Sequence, residues 1–308
     1  MKKTLLLLLV LFILFVIGIL LLQSDVRAPS QRALGDIVRT QTKIAVLEIS
    51  GPIFDSHQYV KELEELINNP WVAAVIIRIN SPGGAVGSSQ ELYNTIKTMK
   101  QKKPIIASIE NVGASGAYYL AMATDKIYAN PGSITGSIGV IMEFYNTENL
   151  WEKIGVSFKV IKSGEYKDIG SPVREMTPEE REFLKASSDN VYEQFLEALK
   201  SQRGDILYAR KAAELEFKEL DAYLHTIADG KIYTGQQAYE IGLIDELGSL
   251  YDAADYLHEE LNLPRKYDFV RPRRKRFPFL GIISDIRQFV EINARSGIQI
   301  LYMCPVSR

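Results

Sequence analysis

The chain has 308 residues, 46% of them hydrophobic and 24% charged, and a formal net charge of −2. That length allows one large domain or two small ones, and the apolar content is that of a packed globular protein and not of a disordered one. The near-neutral balance supplies no overall field for nucleic acid. The single cysteine, Cys304, can form neither an internal disulfide nor a thiolate metal cluster.

Taken from the start, Lys2 and Lys3 precede an unbroken apolar run from Leu5 to Leu22. As a helix this run spans about 27 Å, close to the thickness of a bilayer's hydrocarbon core. A cleaved signal peptide is the alternative, but the run is longer than a usual signal core, and no Ala-x-Ala site or lipid-accepting cysteine follows it. A retained anchor over residues 1–22 is therefore expected. Its orientation is left open by charge, because Arg27, Arg32 and Arg39 balance the two lysines. Residues 23–42 are polar, without apolar period, and read as a linker.

A folded body is expected over residues 43–263. Ile44–Ile49 reads as a strand closed by Gly51-Pro52, and Tyr59, Leu63 and Leu66 recur at helical spacing. Val72–Ile79 is a nearly all-apolar strand of the kind buried on both faces. Helices are predicted at Ser88–Met99, Ser115–Thr124 and Asn149–Ile154. Strands are predicted at Ile105–Ile109, Lys126–Tyr128, Gly136–Met142 and Phe158–Ile161. Strands alternating with helices predict an α/β domain with a largely parallel sheet. Thr177-Pro178-Glu179-Glu180 is a helix start, with a cap, proline at the first position and acids at the positive end of the dipole; that helix is predicted to reach Ser201. Thr234 followed by Gln237 reads as a capping box, and Tyr251–Leu261 as a last helix. The tail over 264–308 holds the basic run Arg271–Arg276, a possible helix face of Ile282, Ile286 and Phe289, and an apolar end, Gly297–Met303. That end needs covering, at the rim of an assembly or in a substrate groove.

Three loops carry chemistry. Ser115, in Gly113-Ala114-Ser115-Gly116, follows a buried strand and opens a helix. Backbone N–H groups are unpaired there, and the helix dipole favours negative charge. That suits a nucleophilic hydroxyl, although a simple helix cap has the same local sequence. Asn80-Ser81-Pro82-Gly83-Gly84 is a glycine turn that can aim backbone N–H groups of Gly83 and Gly84 at a developing oxyanion; a tight strand-to-helix turn is the plainer alternative. The histidines His57, His225 and His258 have no metal-site spacing and lie far in sequence from either loop. A lysine can act as base instead if burial lowers its pKa from about 10.4 to about 7–8. Lys167, in Ser163-Gly164-Glu165-Tyr166-Lys167-Asp168, sits at a predicted strand end as Ser115 does, with Lys162 and Lys126 as local competitors.

Asn80–Gly84 (NSPGG), Gly113–Tyr119 (GASGAYY), GSITGSIGV, KSGEYKDIGSP and DGKIYTGQQAYEIGLIDELG, in this order, resemble the signal peptide peptidase A family in its short form. The resemblance covers roughly Lys43 to Leu261. It implies an α/β fold, a ClpP/crotonase-like spiral of ββα units, behind an N-terminal transmembrane helix. It implies a membrane-bound serine endopeptidase with a serine–lysine dyad, Ser115 as nucleophile and Lys167 as base. The oxyanion donors would be Gly83, Gly84 and Gly116. Ser137 would orient the lysine, with a plain turn serine as the alternative. No metal or cofactor is implied, nor any nucleic-acid partner. The implied partners are extended peptides such as signal-peptide remnants, the bilayer through residues 5–22, and further copies of the chain in a ring whose subunits share the dyad. The implied location is the bacterial plasma membrane, single-pass, with the catalytic domain extracytoplasmic. A crotonase-like acyl-CoA enzyme and a non-enzymatic membrane scaffold are the competing readings.

Overall fold

The computed structural model describes residues 43–211, 219–272 and 301–303. The expected anchor, the linker, most of the basic run and the predicted face at Ile282–Phe289 lie outside the described residues. Among the described residues no helix is long and apolar enough to cross a membrane.

Parallel strands form the centre. β1 (Lys43–Ser50), β2 (Val72–Ser81), β4 (Ile105–Ala114), β5 (Ile127–Ala129) and β8 (Glu246–Leu247) lie side by side in that order, each parallel to its neighbour. β4 forks the sheet. Its first half, Ala107–Ile109, pairs with β5, and its second half, Val112–Ala114, pairs with β6 (Ile134–Gly136). β6 in turn carries the antiparallel β7 (Ile232–Thr234). Both faces are covered, which is why these strands read as continuous apolar runs. Leu47, Ile49, Ile77, Ile79 and Ile109 belong to the main core; the alternating Ile44, Val46, Ala74, Ile76 and Ile106 belong to a second, smaller core.

The helices follow from the same division. α1 (His57–Asn68), α2 (Val86–Met99) and α3 (Gly116–Ala121) cover the main face, with contributions from α5 (Pro178–Lys211), α6 (Leu220–Ile227) and α7 (Gly235–Ile241). α8 (Leu250–Glu260) closes the other face with Ala253, Ala254 and Leu257. The remaining helix, α4 (Glu148–Lys153), buries no residue. α3 is tied at its base: Tyr118, fully buried, donates its hydroxyl to the Leu243 carbonyl at 2.7 Å, and burial pushes its pKa up.

Several sequence expectations need correction. β4 continues five residues beyond Ile109 because Val112–Ala114 find β6 as a partner. The predicted helix at Ser115 begins at Gly116 and ends at Ala121. The predicted strand Gly136–Met142 is instead Ile134–Gly136, stopped where Gly136 and Ser137 both turn to positive φ (77° and 51°). Phe158–Ile161 forms no strand; Phe158 and Val160 are half exposed and Ile161 wholly so, because no strand of the described chain lies alongside. α5 runs ten residues past Ser201. The capping box at Thr234 and Gln237 is present, and a second one, Ser249 with Asp252, opens α8. Among the elements not anticipated is the short β3 (Gly83–Ala85), which pairs antiparallel with β9 (Leu301–Met303). Leu301–Met303 of the apolar tail end thus pairs with this chain's own glycine turn.

Replacing Tyr118 by Phe leaves the Leu243 carbonyl without its partner. A loss of about 1–2 kcal/mol is expected, read as a lowered midpoint in denaturant unfolding; an unchanged midpoint would show that the tie does not hold α3 in place.

Candidate active site

Three strand ends meet in one place. β2 ends beside β4 with Ser81 opposite Gly113, and β4 ends beside β6 with Ala114 opposite Gly136. Ligand sites of open parallel sheets lie outside the carboxyl ends of their strands, and here that edge gathers Ser81–Gly84, Gly113–Gly116 and Gly136–Ser137. Ser115 and Ser137 each follow a paired residue, so they are neighbours across the strand ends, and the Ser115 N–H donates to the Gly136 carbonyl at 2.7 Å.

Ser115 is held under strain. Its backbone sits at φ 54°, ψ −120°, a conformation normally left to glycine, at a cost of about 1–3 kcal/mol. Its side chain is 1% exposed, yet its hydroxyl has no hydrogen-bond partner and does not cap α3. The helix-cap alternative therefore falls. A buried hydroxyl left unpaired costs about 1–3 kcal/mol more. Gly113 permits the close packing beneath it, since an added Cβ would lie 2.8 Å from the Ile109 side chain.

The glycine turn is fixed by Ile53. The Gly83 carbonyl accepts from the Ile53 N–H (2.8 Å), and the Ala85 N–H donates to the Ile53 carbonyl (2.7 Å). A Cβ on Gly84 would lie 2.1 Å from the Ile53 oxygen, so this approach requires glycine. Successive backbone groups of an extended segment face opposite sides, so the Gly84 N–H faces the edge along which β9 lies, with Gly84 opposite Tyr302. The Gly83 N–H donates to Ser81 Oγ at 3.2 Å, a contact the motif alone did not suggest. Gly116 opens α3, so its N–H lies outside the helix ladder.

Ser137 is buried, its N–H donating to the Lys231 carbonyl at 2.7 Å. Lys167 is exposed, on a single 3₁₀ turn, Glu165–Asp168, and its amine makes no hydrogen bond to Ser115 Oγ. Of the predicted groups, one protomer brings together Ser115, Ser137 and the three glycines, and leaves the Ser115 hydroxyl without a hydrogen bond from Lys167.

The lysine turn is nonetheless anchored. Asp168 accepts from Arg174 Nε (2.9 Å) and Nη2 (2.8 Å) and from Lys162, and Arg174 reaches on to Glu180 in the first turn of α5. Glu180 closes a capping box with Thr177, accepting from the Thr177 N–H at 3.0 Å. The Arg174 and Lys162 hydrogen bonds hold the Asp168 carboxyl far below its ordinary range, and Glu180 and Asp168 drive the Arg174 pKa up. The acids of this helix start read in sequence only as dipole partners; the long link back to Asp168 had no sequence signal. A cleft of about 430 Å³ lies beside this turn, lined by Phe144, Tyr145, Arg174, Met176 and Leu184 among others, and none of its lining residues comes from the Ser115 loop.

No group of three or more metal-ligating side chains occurs among the described residues. A strained, buried serine at a strand-to-helix turn, with glycine backbone beside it, is the geometry of a serine hydrolase on a parallel α/β sheet. Comparisons with known proteins narrow the class. The model described as peptidase family S49 matches residues 97–264, and the one described as Clp protease matches residues 35–134. A Synechocystis protein named as a protease is 44% identical over 218 residues, 70% of this chain and 74% of that protein. A Methanocaldococcus jannaschii protein, also named as a protease, is 37% identical over 210 residues, 68% of this chain and 63% of its own. The chloroplastic serine protease SPPA of Arabidopsis thaliana is 32% identical over 258 residues, 83% of this chain and 36% of its own, so the chain spans only about a third of the plant protein. The chain belongs to peptidase family S49 and is a serine-type peptidase. Family membership places it with peptidases and not with acyl-CoA enzymes or scaffolds.

Ser115→Gly removes both the strained non-glycine backbone and the orphan hydroxyl. It should abolish peptide cleavage while raising stability by about 1 kcal/mol, after the entropic cost of glycine. A thermal melt compared with wild type checks this, and a lower melting point would contradict the strain reading.

Proposed function

We propose that this chain is a membrane-anchored endopeptidase whose nucleophile is Ser115 and whose general base is Lys167 of a neighbouring copy. The observation that carries this reading is the buried, strained and unpaired Ser115 hydroxyl together with an exposed Lys167. A serine hydroxyl needs a base within hydrogen-bond reach, and no described side chain of its own protomer hydrogen-bonds to it. A lysine base needs desolvation, and Lys167 sits on an exposed surface turn. Docking one copy's lysine turn over the next copy's serine loop meets both needs. The exposed apolar side chains between Ile141 and Tyr166 support a covered surface there.

In this arrangement Ser115 Oγ attacks the peptide carbonyl as Lys167 takes its proton. The Gly84 and Gly116 N–H groups, and Gly83 once released from Ser81, stabilise the oxyanion. The lysine then protonates the leaving amine, and water hydrolyses the acyl-enzyme. Ser137, beside Ser115, accepts a hydrogen bond from the incoming amine and fixes its direction. The finer fold assignment, a ClpP/crotonase-type spiral of ββα units behind a transmembrane helix at residues 5–22, belongs to the same proposal. So do the ring of copies, the bacterial plasma membrane with an extracytoplasmic catalytic domain, and signal-peptide remnants as substrate. An anchored enzyme stays beside such debris. β9 lying on β3 supports an extended peptide substrate, because it demonstrates that this edge takes a strand; a substrate would take that edge in its place.

Co-assembly of Ser115→Ala with Lys167→Ala chains tests the shared dyad. Mixed assemblies should recover up to about a quarter of wild-type peptide cleavage if copies mix at random, while each variant alone stays inactive; recovery of nothing in proven mixed assemblies would mean the dyad is not shared. Removing residues 297–308 should increase the rate on short peptides by clearing the β3 edge, and a fall in kcat/KM would count against substrate binding there.

A further inference from the structure

We propose that Arg174 is a positioning residue for the peptidase reaction: its guanidinium locks the Lys167 turn to the start of α5 and cancels the acid next to the base. The inference rests on Lys167 being that base. Two observations carry it. The first is geometric. The turn holding Lys167 is four residues long, and its buried neighbours are few, so little packing holds it. Its hold on the body is the fork of Arg174, which grips Asp168 through two nitrogens and Glu180 through two more contacts. A planar guanidinium can satisfy two carboxylates at once in fixed orientation; an ammonium cannot. Glu180 is itself locked by the capping box with Thr177. Arg174 thus transfers the rigidity of a 34-residue helix to a surface turn.

The second observation is electrostatic. Lys167 is followed directly by Asp168, and a carboxylate so close favours the protonated amine, the wrong form for a base. The charged groups linked to the turn that carries Lys167 are Lys162 and Asp168 on its own stretch, Arg174 on the next, and Glu180 on α5. Lys162 and Arg174 both bind Asp168, so its charge is compensated before it reaches the amine. The exposed apolar pair Tyr166 and Phe183, with ring centroids 5.4 Å apart, adds a second link between turn and helix without adding charge.

The test measures peptide cleavage by the full assembled chain across pH for wild type, Arg174→Gln, Arg174→Lys and Lys167→Ala. Arg174→Gln should lower kcat by about 10–100-fold, as expected of a base displaced by about 1 Å, with KM changed less than about threefold. It should also move the acid limb of kcat/KM upward by about half to one pH unit, because Asp168, less compensated, keeps Lys167 protonated to higher pH. Arg174→Lys should restore the position of the limb but not kcat, since it returns charge without the fork. If Arg174→Gln does not fold, Asp168→Asn takes its place, with a similar loss of kcat and a limb moved downward. Wild-type kcat and limb in a folded variant, or a kcat loss fully repaired by Arg174→Lys, would overturn the proposal. Activity retained by Lys167→Ala would instead overturn the dyad on which it rests, so the two failures are separable.

Discussion

The structure depends on one constraint: a serine held at positive φ, with its hydroxyl buried and without a partner, at the joint ends of parallel strands. Most of the surrounding architecture serves that constraint. β4 is long enough to pair with β5 below and β6 above, so the turn at Ser115 is pinned by two different strands. The Gly136 carbonyl takes the Ser115 N–H, and Tyr118, one turn into α3, is moored to Leu243. These contacts leave the residue little room to relax into a capping role. The proposed nucleophile thus sits on a rigid scaffold with a strained backbone and an unmade hydrogen bond.

The same constraint explains the composition of the neighbouring loops. Gly84 is there because the Ile53 oxygen comes too close for any Cβ. Gly136 is there because the chain must turn left-handed immediately after β6, where a side chain would strike Tyr233 and the Lys231 carbonyl. Ser81 contributes by holding the Gly83 N–H in place, so one donor of the proposed oxyanion site is already engaged internally, while the Gly84 N–H faces β9. An edge that already accepts a strand is oriented for an extended backbone.

Much of this was legible in the sequence, and the reasons for the rest are physical. Buried strands announced themselves because both faces of the sheet are covered, so β1, β2 and β4 are predominantly apolar. Two caps were legible because the bond is local, Thr234 with Gln237 and the start at Thr177, while the equally local box of Ser249 with Asp252 was not read. Long-range ties were not. Tyr118 to Leu243 spans 125 residues, and Arg203, buried against Asp245 and the Gly242 carbonyl, spans about 40. Neither has a local pattern. The link from Asp168 to Arg174 is only six residues long, but a charged stretch of Lys, Glu, Asp and Arg does not disclose which partners meet. Within the site, glycine-rich loops and the serine were visible, while the engagement of Gly83 by Ser81 and of β3 by β9 was not.

The places where pattern and structure disagree are instructive in themselves. Gly136–Met142 and Phe158–Ile161 have strand-like sequences, yet the described chain forms no strand over Ser137–Met142 or Phe158–Ile161, and between Ile141 and Tyr166 large apolar side chains face solvent. Local preference that contradicts the folded state is costly, and natural chains usually keep the two consistent unless a functional or binding role intervenes. Val156, Phe158 and Val160 alternate with polar Ser157 and Lys159, which is the pattern of a strand with one face to be buried. What is missing is an adjacent strand and a covering surface. The lysine turn follows this stretch within a few residues, so in the proposed arrangement a copy that covers the stretch would also reach Lys167. The proposed sharing of a dyad between copies therefore does not add a separate requirement to the fold. The same contact that would satisfy the unpaired apolar stretch would deliver the amine, desolvated, to the serine that lacks a base.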